Sequence, residues 1–185
     1  MKSKNKTSAN QGSVDDFLNS IEHKKRNSLA VQIANQFREV QLNGTFIART
    51  NLKDQIGDLS WQQATTKVGS LNTIAALTFH INYYIAGLIH LFEGGELEIR
   101  DKFSFDAPPI QSQEDWEQLR DRTWREAERF AELVEQMSEE QLNSIFVKEQ
   151  YGNYRRNIEA MIEHSYYHLG QIVLLKKIVL GQAGI

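Results

Sequence analysis

Proline occurs at only two positions in this chain, Pro108 and Pro109, and the two are adjacent. Proline lacks a backbone N–H donor, and its ring clashes with the preceding turn, so it breaks an α-helix more strongly than any other residue. All other positions are therefore free to form long helices. Since no pair of segments alternates between apolar and polar residues as strands do, we predict an all-α fold.

Four long segments carry apolar residues at helical spacing. They are the segment with Leu29, Ile33, Phe37 and Val40 that ends near Gly44, then 71–93, then the stretch from Ser112 to Met137, and finally Asn153 to about Leu180. Ser60 and Gln63 have the spacing of a capping box, which predicts a further short helix over 61–66. Four long helices predict an antiparallel four-helix bundle.

The length of 185 residues favours a single domain, which we place at 13–185. Residues 1–12 are rich in Lys, Asn, Ser and Gln and are predicted to form a flexible tail. Ser13 and Asp16 have the pattern of an N-terminal cap, so the stretch with Phe17 behind them is expected to form a separate short helix or to extend the first long helix. Without an apolar segment near the N-terminus, a secretory signal is not indicated, and a cytoplasmic location is expected.

Charge and cysteine content exclude several classes of function. The chain has 21 basic and 24 acidic residues, and this net charge of −3 argues against a nucleic-acid partner. Its lack of cysteine excludes disulfides, cysteine-ligated zinc and a thiol nucleophile. Residues 71–92 contain no charged residue and are long enough to span a bilayer. Because they also include Asn72, Asn82 and two histidines, we interpret them as the most buried helix of a soluble protein. We therefore expect no membrane partner.

Three histidines lie on predicted inward-facing stripes. His164 and His168 are four residues apart, so their side chains share one face of the last helix. His80 lies on the apolar stripe of the second long helix, near the same height in a bundle. Burying an imidazole without a partner costs on the order of a few kcal/mol. Either hydrogen bonds to the three rings or a metal ion bound by them would offset that cost, and the residues alone leave both alternatives open.

The segment 162–172, IEHSYYHLGQI, resembles the last-helix signature H-x-x-x-H-x-G-Q-I of the DinB/YfiT-like metalloenzyme family, or DinB superfamily. Leu77–Ile81 looks like the histidine segment of that family's second helix, and the resemblance covers about 28–180. It implies a four-helix bundle with a divalent metal (nickel, zinc or iron) held by His80, His164 and His168. It also suggests a crossover connection between helices two and three, for which 94–111 is long enough. Leu169 stands where many members have arginine, so no role of that arginine is transferred.

The resemblance further implies an activity, because characterised relatives include S-transferases and isomerases that use low-molecular-weight thiols such as bacillithiol or mycothiol. We therefore expect a thiol-dependent S-transferase that acts on a small-molecule substrate. The sulfur must come from outside, since the chain has no cysteine. Tyr84, Tyr167 and Gln171 are expected to line the pocket or to hydrogen-bond the histidines.

Two alternatives stay open. The first is a metal-dependent hydrolase, but Glu163 precedes His164 instead of following it, so the motif is not H-E-x-x-H. The sequence thus identifies no catalytic acid or base. The second is a non-catalytic bundle that binds a metal or a small molecule, or pairs with itself. A homodimer is expected, with the aromatic-rich segment Phe79–Phe92 as one possible face.

Overall fold

The computed structural model describes residues 28–181. The predicted tail over 1–12 and the predicted helix behind Ser13 lie outside the described residues. Within 28–181 the structure is helical and has no β-strand, and one isolated antiparallel bridge joins Ile145 to Asn153. The predicted all-α class is confirmed.

Seven α-helices form the described part of the chain. They are α1 Leu29–Arg38, α2 Leu52–Ile56, α3 Trp61–Thr65, α4 Ile74–Phe92, α5 Gln113–Glu135, α6 Glu139–Asn143 and α7 Tyr154–Val179. A π-helical turn, Glu39–Asn43, extends α1 to Gly44, and single 3₁₀ turns occur at Asp101–Phe103 and Glu149–Tyr151. The four long helices α1, α4, α5 and α7 correspond to the four predicted segments.

Side-chain caps fix where the helices begin. Ser60 and Gln63 form the predicted capping box at α3, and Ser112 and Asn153 each accept a hydrogen bond from a backbone N–H in the first turn of α5 and α7. Each such cap satisfies one of the backbone donors that a helix start leaves without a partner. The predicted starts of these three helices are confirmed.

Two details of the helices differ from the prediction. The second long helix begins at Ile74 and not at 71, because the Thr73 hydroxyl accepts a hydrogen bond from the backbone of Ala76 and caps it there. The helix α2 was not predicted. It has only five residues, too few to show a period, and begins where the Asn51 side chain accepts a hydrogen bond from the backbone N–H of Asp54.

The long helices pack around one core. The helix α5 contacts α1 and α4, and α7 contacts the same two helices. Phe37 from α1 and Phe130 from α5 are fully buried, with ring centroids 4.4 Å apart. The buried Trp116 of α5 donates its indole N–H to the carbonyl of Leu59, which ties the segment after α2 to the core.

The connection between α4 and α5 runs back along α4. Arg100 hydrogen-bonds Tyr83, Ser104 reaches His80, and the two prolines lie beside Phe79 near the start of the helix. The ring of Phe92, at the other end of α4, stacks on Phe130 in the second half of α5.

These contacts show that α4 and α5 run parallel, so the antiparallel arrangement predicted for neighbouring helices was wrong for this pair. By contrast, α4 and α7 are antiparallel: His80 lies beside His168, and Phe92 lies beside Tyr154. The faces of α4 and α7 that carry the histidines therefore meet at the seam between these two helices.

The helix α4 is long and apolar enough, by length and composition, to cross a membrane. Half of its most apolar window is buried inside the protein. Ile74, Leu77, Ile81 and Ile85 all lie in the core formed with the other long helices. Packing against α5 and α7 thus accounts for the apolar composition of this helix.

Candidate metal centre

His80, His164 and His168 converge at the seam between α4 and α7. The Nε2 atom of His164 lies 3.1 Å from Nε2 of His80 and 2.9 Å from Nε2 of His168. His80 and His168 are buried, and His164 lies at the edge of the buried region. The three rings meet edge to face, so all three Nε2 atoms point at one small volume. The three donor nitrogens could hold a metal ion there.

The outer nitrogens of two rings are already engaged. Nδ1 of His80 lies 3.3 Å from the carbonyl oxygen of Ser104, and Nδ1 of His168 lies 2.7 Å from Oε1 of Gln171. A carbonyl oxygen only accepts hydrogen bonds, so each Nδ1 carries the proton of its neutral ring and each Nε2 carries a lone pair. These contacts fix which nitrogen of each ring faces inward.

The point where the three rings meet therefore has fewer N–H donors than lone pairs. The neutral ring of His164 has one N–H group, which can donate a hydrogen bond to Nε2 of His80 or of His168 but not to both with good geometry. At least one inward lone pair then has no donor among the three rings. A cation at this point would accept all three lone pairs, which is why this donor set fits a metal better than a hydrogen-bonded cluster does.

Burial keeps the three rings neutral. Burial, and after it the neighbouring rings of His168 and His80, lower the pKa of His164 to about 4. Burial also lowers the pKa of His80 and of His168. Because a proton competes with a metal for the same lone pair, neutral rings at pH 7 are the form that binds a cation.

The spacing of the nitrogens also fits a metal of ordinary size. Zinc–imidazole bonds are about 2.1 Å long, and two nitrogens about 3.0 Å apart at that distance subtend about 90° at the ion. Adjacent ligands of an octahedral ion subtend that angle, whereas tetrahedral ligands lie farther apart. A divalent ion bound by three histidines would keep at least one further position for water or substrate.

A cavity of about 520 Å³ opens on the His164 side of the three rings. Most of its wall is apolar and consists of Leu88, Leu97, Ile99, Phe146, Ala160 and Met161. The remaining lining residues are Tyr84, Asp101, Tyr151, Asn157 and His164. A mostly apolar cavity with a few polar groups beside reactive nitrogens is the usual form of a small-molecule site.

The three predicted neighbours of the histidines occupy different positions. Tyr84 lines the cavity, and its ring meets the rings of His80 and His164 edge on, at centroid distances of 5.1 and 5.2 Å. Gln171 lies outside this cavity and hydrogen-bonds His168. Tyr167 is 64% exposed and is not part of the cavity wall, although its ring contacts that of His168 at 4.9 Å.

Sequence reasoning missed the contribution of the connection between α4 and α5. Besides the Ser104 carbonyl, it supplies Phe105, whose ring stacks on that of His80 at 4.0 Å, and Asp101, which accepts a hydrogen bond from the Tyr84 hydroxyl at 3.1 Å. The one available signal was the pair of phenylalanines at 103 and 105 within an otherwise irregular segment.

Glu163 and His90 lie away from the centre. Glu163 is exposed and forms an ion pair with Arg156 on the outer face of α7. His90 is exposed near the end of α4. The carboxylate nearest to the three histidines in the cavity wall is therefore Asp101.

Comparison with known proteins yields one match. The family model of the DinB superfamily matches residues 47–172, which are 126 of the chain's 185 residues. The matched region contains all three histidines, the cavity residues and the connection between α4 and α5. No curated protein matches the chain, and no solved structure matches it. Since the matched region covers more than half of its length, the chain belongs to the DinB superfamily.

Proposed function

We propose that the protein is a divalent-metal-dependent enzyme in which His80, His164 and His168 hold nickel, zinc or iron. We further propose that it transfers a low-molecular-weight thiol of the bacillithiol type to an electrophilic small molecule. The observation that carries the metal proposal is the meeting of three Nε2 atoms, at 2.9 and 3.1 Å, with two of the outer nitrogens already hydrogen-bonded. Such partners orient imidazole ligands toward a metal.

A bound divalent cation would lower the pKa of a thiol or a water molecule at a free position, so that either could act as a nucleophile near neutral pH. The chain would contribute the surroundings. Tyr84 and Phe105 cover two sides of the histidine rings, and the apolar wall of the cavity limits water around the reacting atoms. The catalytic acid or base, if the reaction needs one, is left unassigned.

Thiol transfer requires a sulfur nucleophile and room to bind it. The chain has no cysteine, so the nucleophilic sulfur of such a reaction must enter as a separate molecule, and the cavity has room for one. In the transfer, the thiol loses its proton to solvent and its sulfur bonds to the electrophilic carbon. The leaving group then departs with the electrons of the broken bond. Hydrolysis would use water in place of the thiol, and a non-catalytic metal-binding protein would do neither.

Metal analysis separates the enzymatic proposals from a protein that binds no metal. We expect the purified wild-type chain to bind about one divalent ion, and His80→Ala, His164→Ala and His168→Ala to bind it much more weakly. His90→Ala is the matched control, because His90 is exposed on the same helix as His80 and lies outside the cluster. Equal metal content in all four variants and the wild type would refute the proposed ligands.

A second experiment distinguishes transfer from hydrolysis. The metal-loaded protein is incubated with a model electrophile, with and without bacillithiol, and the products are identified by mass spectrometry. Thiol transfer predicts a sulfur adduct that forms only with the thiol and the metal. A hydrolysed product without the thiol would support the hydrolase, and activity that persists after metal removal would refute the mechanism.

The remaining proposals concern the whole protein. We propose a four-helix bundle with a crossover connection, built from α1, α4, α5 and α7 as one domain over 13–185. The parallel course of α4 and α5 supports the crossover. We also propose a cytoplasmic homodimer with no nucleic-acid or membrane partner. The net charge of −3 supports only the lack of a nucleic-acid partner. Light scattering of the purified protein would test the dimer.

A further inference from the structure

We propose that the cavity beside the three histidines binds small molecules that carry an ammonium group on an apolar body, and that Asp101 receives the ammonium group. This inference rests on the proposed function in one respect, since it takes the cavity to be the substrate site. It adds the chemical class of the ligand and the residue that selects it.

The charge of the cavity wall is the first support. Asp101 is the only acidic residue in the wall, and no lysine or arginine of the described residues lines it. The neighbouring Lys102 does not neutralise Asp101 by an ion pair, because its ammonium group lies over the ring of Phe103 at 4.6 Å. Apart from the histidines, Asp101 therefore carries the one formal charge among the residues of the cavity wall, and its carboxylate attracts a cation and repels a carboxylate placed against it.

The position of the carboxylate is the second support. Asp101 begins the 3₁₀ turn Asp101–Phe103, and both the backbone N–H and the hydroxyl of Ser104 donate to its carbonyl oxygen. These bonds hold its backbone in place. The Tyr84 hydroxyl donates to Oδ1 of Asp101, which orients the carboxylate and leaves the second oxygen available to a ligand.

Tyr84 also determines the distance between the two groups that would contact the ligand, the histidines and the carboxylate of Asp101. Its ring touches the rings of His80 and His164, while its hydroxyl touches Asp101, so one tyrosine side chain spans the gap between the histidines and the carboxylate. A small molecule with a donor atom at one end and an ammonium group at the other could reach both. An aminothiol meets this description, whereas a thiol whose only charges are carboxylates does not.

The test uses three probes of equal chain length with the metal-free protein at pH 7 and low salt: hexylamine, hexanol and hexanoate. Dissociation constants are measured by ligand-observed NMR. Because Asp101 is exposed to solvent, the charge contribution is limited to the range of exposed ion pairs, so hexylamine should bind more tightly than hexanol by up to about fivefold. Hexanoate should bind most weakly.

Two matched variants locate the effect. Asp101→Asn should remove the preference for hexylamine over hexanol, while Asp106→Asn should keep it. Asp106 is an exposed carboxylate on the same connection that is not part of the cavity wall, so its loss changes the net charge equally. Circular dichroism confirms that both variants fold.

Three results would overturn the proposal: hexanoate binding as tightly as hexylamine, a preference that survives in Asp101→Asn, or no binding of any probe at millimolar concentration. Because the protein is metal-free here, these results do not depend on the metal proposal. Amine binding without metal binding would leave the cavity assignment intact and refute the metalloenzyme, and the reverse outcome would refute only the present inference.

Discussion

Replacing Gln171 by leucine is expected to weaken metal binding about 10- to 100-fold, because partners that hydrogen-bond a histidine ligand contribute about that much to affinity. Gln171 accepts the Nδ1 proton of His168 at 2.7 Å, which orients the ring and makes its Nε2 a better electron donor. Leucine has a similar size but accepts no hydrogen bond. The three imidazoles stay in the variant, so binding should be weakened and not abolished.

The loss can be read from stability. At a free metal concentration 100 times the wild-type Kd, binding stabilises the fold by about 2.7 kcal/mol. A 10- to 100-fold weaker Kd at the same concentration reduces this to between about 1.4 and about 0.4 kcal/mol. At about 3 °C per kcal/mol for a domain of this size, the metal-induced rise in Tm falls from about 8 °C to between about 4 and about 1 °C.

The assay compares thermal unfolding with and without zinc, together with direct competition against a chromophoric chelator. Gln118→Leu is the control, since Gln118 is exposed on α5 and makes only a long contact of 3.4 Å to Glu114. A Kd for Gln171→Leu within twofold of the wild type would refute the argument that this hydrogen bond orients a ligand. So would an equal loss in Gln118→Leu.

Two further predictions concern stability and ionisation. A Cβ atom at Gly87 would lie 2.4 Å from Cγ1 of Ile99, so Gly87→Ala should lower the free energy of unfolding, measured in urea, by about 1–3 kcal/mol. A Cβ atom at Gly170 would meet no atom within 4 Å, so Gly170→Ala should raise that free energy by about 0.5–1 kcal/mol. Equal effects of the two substitutions would contradict this prediction. Burial and then the hydrogen bond to Glu39 raise the pKa of Tyr166 to about 12, so Tyr166 stabilises the fold below pH 10 and loses this contribution as the pH rises toward 12. In NMR titrations of labelled tyrosine, Glu39→Gln should lower that pKa, and an unchanged value would contradict the role of Glu39.

The helices were predictable because their signals are local. Residues only a few positions apart determine the caps at Ser60, Ser112 and Asn153 and the apolar stripes of the long helices. The structure contains these caps as predicted. The π-helical turn after α1 was not predictable from the same pattern. Its wider hydrogen bonding shifts the register and buries Gln41, a polar residue that no apolar periodicity would place inside.

The histidines could be predicted to lie inside, but the rest of the site could not. His80, His164 and His168 lie on stripes with a clear period, so their inward direction follows from the sequence. Asp101, Ser104 and Phe105 reach the site only because the connection folds back along α4, and a segment without a period carries no information about where it returns. Their roles depend on contacts between residues at least 17 positions apart.

The course of the connection also has an evolutionary consequence. Helices α4 and α7 carry the histidines and much of the core, so their sequences are constrained by folding and by chemistry together. The connection forms one wall of the cavity through Leu97, Ile99 and Asp101 while contributing less to the core. Substitutions in this connection could change the substrate without destabilising the helices. A lineage could therefore diversify its reactions by substitutions within some twenty residues of a single loop.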